Sequence, residues 1–225
     1  MLKDKKVLLE AEVDEKTEEL QNALREVQNS ERDIISILGK TAEYRDNETS
    51  MHTIRVGEMS ALLALKFGWQ KEDIELMRLA APMHDMGKVG ISDSILLKPG
   101  KLEKEEFLIM KEHSKIGYSI LSKKQTPLLK LAAEIAYTHH EKFDGTGYPR
   151  GLSSHDIPLS GAIVAVADVF DALLSERPYK NAFSLEKTLE IIKNDSGSHF
   201  NPGVVALFLD SLDEILEIRK RLCDV

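Results

Sequence analysis

From Leu9 to Ile37 the chain places Leu9, Val13, Leu20, Ala23, Val27, Ile34 and Ile37 at alternating steps of four and three, with Lys16 and Ser30 as polar positions in the same register. Such a period predicts one long helix over residues 2–42 with a coiled-coil seam along one side. A solvated helix that packs on the domain after it would show a similar pattern. The Glu- and Lys-rich flanks favour a parallel dimeric stalk, and a stalk of this kind implies an input upstream of it. Beyond Gly39 the apolar spacing becomes that of a globular helical domain. Helices are expected over 48–67, stopped by Gly68, and over 71–86, where Pro82 should break the backbone ladder two residues before His84. After a loop over 91–102 with a Pro99-Gly100 turn, shorter helices are expected over 103–112, 115–122 and 127–139. Residues 140–158 form a Gly- and Pro-rich connection, long for a helix–helix link and therefore a candidate functional loop. The stretch 159–174 is apolar nearly all round, which marks a central buried helix interrupted by Asp168 and Asp171. Final helices are expected over 185–193 and 202–222. No internal repeat and no strand alternation is present, so the class is all-α, with a helical linker over 1–42 and one domain over 43–225.

Composition narrows the chemistry. The 225 residues are 42% hydrophobic and 30% charged, as in a globular protein with one sizeable core. No apolar run reaches membrane-span length and no basic-then-apolar leader opens the chain, so the expected compartment is the cytoplasm, with no membrane insertion. The single cysteine, Cys223, excludes an intrachain disulfide and a cysteine-ligated zinc site. A net charge of −8 argues against a nucleic acid polymer as partner. It leaves a small anionic substrate open, because bound metal ions reverse the local field in a cleft.

The candidate chemistry lies in the histidines. His84-Asp85 offers a nitrogen and an oxygen ligand side by side, with Lys88 one turn further on. Read alone, the same residues also describe a helix C-terminus with a Gly stop and a Lys against the dipole. His52 stands four residues after Glu48 on one helix face, His113 at an expected helix start, and His139-His140 at a helix end. Asp168 sits in the most apolar helix of the chain, where a carboxylate needs a partner or a metal. Mixed His and carboxylate donors without cysteine suit iron or manganese, and also zinc, in a site of two or three ions.

Four stretches together resemble one known family. They are His84-Asp85-Met86-Gly87-Lys88, then His139-His140-Glu141, then Phe143-Asp144-Gly145-Thr146-Gly147-Tyr148-Pro149, and Val166-Ala167-Asp168-Val169-Phe170-Asp171-Ala172-Leu173 through Arg177-Pro178-Tyr179-Lys180. The family is HD-GYP, the branch of HD-superfamily phosphohydrolases that cleave cyclic di-GMP, and the likeness covers residues 41–212. The resemblance implies a helical HD-type domain whose metal ligands are His52, His84, Asp85, His113, His139, His140 and Asp168, with Asp85 bridging two ions. Glu48 matches a position that completes a third metal site in some members. Two or three divalent transition-metal ions are implied, iron ahead of manganese or zinc. Asp85 and Lys88 would be the catalytic residues. Lys88, Arg177 and Lys180 would face substrate phosphates, while Gly147 and Tyr148 would line the guanine side of the pocket. His155 matches no ligand position. His199 falls in Ser198-His199-Phe200-Asn201-Pro202, where the family more usually has Asp before Pro, and reads as structural.

The activity so implied is hydrolysis of cyclic di-GMP to pGpG and/or GMP by a hydroxide bridging two metals about 3.5–4 Å apart. Two rival readings stand beside it. One is a phosphohydrolase of another nucleotide, such as a mixed cyclic dinucleotide. The other is a non-catalytic binding or scaffold module whose Gly147-Tyr148-Pro149 loop contacts a diguanylate cyclase-type domain, a reading that the complete ligand set disfavours. A homodimer through the N-terminal helix is the expected assembly.

Overall fold

The helix over Leu159–Leu174, α7, is the axis about which the domain packs: Ser160 to Ala167 are all buried, and Phe170 and Asp171 extend the buried face by a further turn. A helix apolar on every side can only be a core element, and the others arrange their apolar faces around it. The structure is a computed structural model that describes residues 2–44, 51–176 and 182–223. Glu48, Arg177 and Lys180 lie outside the described residues.

In chain order the helices are α1 (Leu2–Tyr44), α2 (His52–Lys66), α3 (Lys71–Ala80), a single turn α4 (Asp93–Leu96), α5 (Lys104–Leu121), α6 (Pro127–Thr138), α7, α8 (Leu185–Asn194), α9 (Pro202–Asp210) and α10 (Leu212–Arg221). Among the described residues, the only strand-like pairing is an isolated bridge between Ser196 and Phe200. None of the helices searched is long and apolar enough to cross a membrane.

Local chemistry sets most helix ends. Glu103 and Glu106 form a capping box at the start of α5, Thr126 caps α6 ahead of Pro127, and Asn201 caps α9 ahead of Pro202. Pro82 does end α3, at Ala80, and the chain continues through a 3-10 turn over Ala81–Met83 and a second over Met86–Gly90. His84 and Asp85 are held between these two tight turns.

Several expected boundaries differ. The helices expected over 103–112 and 115–122 are one continuous helix, so His113 sits within α5 rather than at a helix start. Nothing between them breaks a helix: Gly117 is tolerated because it faces Gly87, whose turn lies so close that a Cβ on Gly87 would stand 1.9 Å from the His113 carbonyl oxygen. The last expected helix is instead two, parted at Ser211, whose buried turn lets α9 and α10 each reach the core through Phe208 and Ile215. The helix over 2–42 runs on to Tyr44, with Gly39 inside it. There Ile35 joins the core, and a Cβ on Gly39 would stand 3.1 Å from the Pro82 carbonyl oxygen. α1 therefore leans on the turns that carry His84 and Asp85.

Candidate metal centre

Five segments deliver ligand-type side chains to one place. His52 comes from the first turn of α2, His84 and Asp85 from the turns after α3, His113 from α5, His139 and His140 from the end of α6, and Asp168 from α7. They form two groups, His52 with His84 and Asp168, and Asp85 with His113, His139 and His140. Within each, one donor atom per residue lies within 4.8 Å of the others. Asp85 stands between the groups. Its Oδ1 is 3.2 Å from His113 Nε2 and 3.5 Å from His139 Nε2, while its Oδ2 is 3.4 Å from His84 Nε2. Asp168 Oδ1 lies 3.3 Å from His52 Nε2 and 3.9 Å from His84 Nε2.

The imidazoles are oriented by one device. Nδ1 meets an acceptor in each of four rings: the Ala81 carbonyl for His84 (2.9 Å), Met110 for His113 (2.6 Å), Ile135 for His139 (3.0 Å) and the Asp171 carboxylate for His52 (2.8 Å). Donation from Nδ1 turns Nε2 of every ring toward the cluster, the arrangement of a ligating histidine held by an outer hydrogen bond. His84 Nε2, His139 Nε2 and Asp85 Oδ1 are buried and make no hydrogen bond, although they lie 3.2–3.5 Å from their neighbours in the cluster. Buried polar atoms left so are costly, and a cation among them would satisfy all three at once.

Protonation states agree with this. Burial holds His139 and His140 below the ordinary imidazole range, His140 well below, so both present lone pairs near neutral pH. Burial would raise the Asp85 and Asp168 carboxyls. Lys88 and His84 outweigh it at Asp85, and a hydrogen bond from His52 and the charge of His84 outweigh it at Asp168, so both stay ionised. At His84 burial lowers the imidazole, but Asp85 and Asp168 prevail and raise it to about 9, so without metal this ring holds a proton where a metal ion would bind. The donor set, its burial and its orientation fit a divalent metal site.

Of the residues expected to face substrate, Lys88, Gly147 and Tyr148 lie around the cluster. Lys88, nearly buried, places Nζ 2.8 Å from Asp85 Oδ2 and so stands within the centre itself. The Gly147-Tyr148 loop returns to the His pair: Tyr148 N donates to the His140 carbonyl at 3.1 Å, and the Tyr148 ring lies 4.7 Å from that of His140. Gly147 lies so close to the backbone at Glu141 and Lys142 that a Cβ there would stand 2.2 Å from the Lys142 nitrogen. His155 is exposed away from the cluster. His199 stacks on Phe200, and its carbonyl accepts from the Phe143 amide, which ties the loop to the segment before α9.

Three contributions were not assigned from the sequence. Asp171, fully buried, accepts from His52, from both Nε and Nη2 of buried Arg55 at 2.8 Å, and from Arg219 of α10. Its signal was present as a second carboxylate in the apolar helix one turn after Asp168, but its partners come from distant segments. Glu141 is buried, and its carboxylate accepts from the Arg150 and Leu152 amides at 2.8 and 2.9 Å, closing the loop on itself. Lys111 Nζ sits 4.9 Å from the Phe107 ring centre and 5.0 Å from that of Tyr148, at the outer end of the row of rings that starts at His139. Glu141 directly follows the His pair, and Lys111 stands two residues before His113 in α5.

Comparison with known proteins gives a consistent answer. The model of a family described as HD domain matches residues 10–204. A cyclic di-GMP phosphodiesterase of Thermotoga maritima is 49% identical over 220 residues, an alignment covering 98% of this chain and 58% of that protein. A 3'3'-cGAMP-specific phosphodiesterase of Vibrio cholerae is 41% identical, with 90% of this chain and 39% of that protein covered. The chain thus spans about half the length of the curated relatives it matches. Among solved structures, a cyclic GMP-AMP specific phosphodiesterase of Vibrio cholerae superposes with a TM-score of 0.60 at 18% identity, covering 84% of this chain and 53% of that one, a likeness of fold.

Proposed function

We propose, because this chain belongs to the HD-domain family and carries the loop that resembles its HD-GYP branch, that it is a metal-dependent phosphodiesterase that hydrolyses cyclic di-GMP to pGpG and/or GMP. The observation that carries this reading is the pair of His/Asp groups with Asp85 between them, four of their five imidazoles tied down at the outer nitrogen, and Tyr148 at the rim. His52, His84 and Asp168 would hold one ion and His113, His139 and His140 another, with Asp85 offering one oxygen to each side. Glu48 is proposed for a third. Ions held there would supply an activated water near neutral pH and neutralise phosphate charge, and iron is the first candidate, then manganese or zinc.

The protein's own groups then have distinct tasks. Lys88, next to Asp85 Oδ2, supplies a cation to the non-bridging phosphate oxygens as charge builds in the transition state. Arg177 and Lys180 are assigned the outer phosphate by the resemblance. Tyr148 keeps its hydroxyl protonated, since burial raises it, and can donate a hydrogen bond while its ring walls the base side of the pocket with Gly147. No side chain need act as nucleophile.

The 41% identical relative that acts on 3'3'-cGAMP supports a second reading, a mixed cyclic dinucleotide as substrate in the same site. A homodimer through α1 and a cytoplasmic location complete the proposal, with a diguanylate cyclase-type domain as the partner assigned to the loop. The test is anaerobic purification with metal analysis, then product chromatography with cyclic di-GMP and 3'3'-cGAMP side by side. At least one equivalent of metal and faster turnover of cyclic di-GMP are expected. Asp85→Ala should abolish hydrolysis while the protein stays helical by circular dichroism; undiminished turnover in that variant would overturn the assignment.

A further inference from the structure

On α1 the residues Val13, Leu20, Val27 and Ile34 follow one another at intervals of seven and stand 56%, 71%, 64% and 58% exposed. A strict seven-residue repeat of large apolar side chains in water is the seam of a coiled coil, and β-branched residues at three of its four positions favour two strands. The intervening seam positions are weak ones, Lys16, Ala23 and Ser30. A two-helix coil built from this seam alone would therefore be thin.

The groove beside it alters that picture. Four consecutive seam positions, Ala23, Val27, Ser30 and Ile34, line a groove of about 690 Å³, and its opposite wall is the start of α6, with Thr126, Leu128 and Leu129. Sequence period and surface shape coincide over this stretch, although neither depends on the other. The small residues at 23 and 30 leave room for a helix to enter. Beside the lining residues in sequence, α6 carries exposed Lys130 and the segment before it exposed Lys123 and Lys124, while the α1 wall carries exposed Glu26. A second α1 entering the groove would thus bring Glu26 toward this lysine-bearing segment.

We propose that the occupant of this groove is α1 of a second copy of the chain, so that the dimer contact includes the start of α6 as well as the stalk. Across the two-fold axis each copy would contribute the same groove, and the added surface would bring a thin coil toward the roughly 1,600 Å² of a standard interface. α6 leads directly into His139 and His140, so the contact clamps the element that delivers two candidate ligands. This rests on the stalk dimer proposed above.

Sedimentation equilibrium of the full chain tests it, with circular dichroism on every variant. The wild type is expected to be a dimer at micromolar concentration. Leu129→Glu and Lys130→Glu should each weaken the dimer at least tenfold, and Leu108→Glu, on an exposed part of α5 away from the groove, should leave it unchanged. Should Leu129→Glu lose helicity, Lys130→Glu decides, since its side chain is on the surface. A dimer of wild-type strength in a folded α6 variant overturns the groove and leaves the stalk dimer standing. A wild-type monomer at about 100 µM overturns both.

Discussion

Asp171 shows how much a single side chain can carry at the residue scale. Its carboxylate, wholly buried in α7, orients His52 and at the same time neutralises Arg55 and Arg219, so the imidazole cannot turn without disturbing two guanidinium groups. Burial alone would raise its pKa; the hydrogen bonds from His52 and Arg55 outweigh burial and keep it ionised. In Asp171→Asn the shape persists and the charge is lost. Metal affinity measured by competition with a chromophoric chelator should fall about 10–100-fold, the usual effect of removing an outer partner of a ligand. Denaturant unfolding should show a loss of about 3–5 kcal/mol, because buried Arg55 and half-buried Arg219 lose the charge of this carboxylate. Unchanged metal affinity would reduce Asp171 to a stabilising residue with no part in the centre.

Among the elements, the connection between α6 and α7 is the one whose shape the proposed substrate side depends on. Its backbone is tied at three places, by Tyr148 to the His140 carbonyl, by Phe143 and Asp144 to the carbonyls of His199 and Ser198, and by the Glu141 carboxylate to the amides of Arg150 and Leu152. Glu141→Gln keeps one acceptor oxygen where two are used. The variant should lose about 1–3 kcal/mol of stability and raise KM for the dinucleotide more than it lowers kcat, with metal content unchanged. Steady-state kinetics alongside metal analysis checks this, and a kcat effect with normal KM would contradict it. The position of this loop was legible in advance from its Gly and Pro content. Its internal ties were not, because they join amides and carboxylates whose spacing in the chain carries no period.

For the molecule as a whole, the proposed ligands come from five segments separated by as many as 116 positions, His52 to Asp168, so metal would tie together parts that otherwise meet only through packing. Removing it with a chelator should lower the melting temperature by roughly 5–10 °C when metal is held at about a hundred times its dissociation constant, the linkage being about 2.7 kcal/mol. Scanning calorimetry before and after chelation, with restoration on adding metal back, provides the check, and an unchanged melting temperature would argue against a bound ion.

The helical class, the buried character of α7, the break at Pro82 and the seven histidine and aspartate positions were all legible in the sequence. Each depends on near neighbours: periodicity, ring closure at proline, or residue types whose chemistry is the same wherever they sit. The continuity of α5 through His113 and the break at Ser211 were not, since Gly117 and Ser211 are accommodated by Gly87 and by the core, which are distant in the chain. What only the tertiary structure decided is how the donors divide into two groups with Asp85 at their junction, which outer partner fixes four of the rings, and where a groove sets the α1 seam opposite α6. Those are relations between separate segments, fixed when apolar faces close around α7 and unsatisfied polar atoms are left with one another as neighbours.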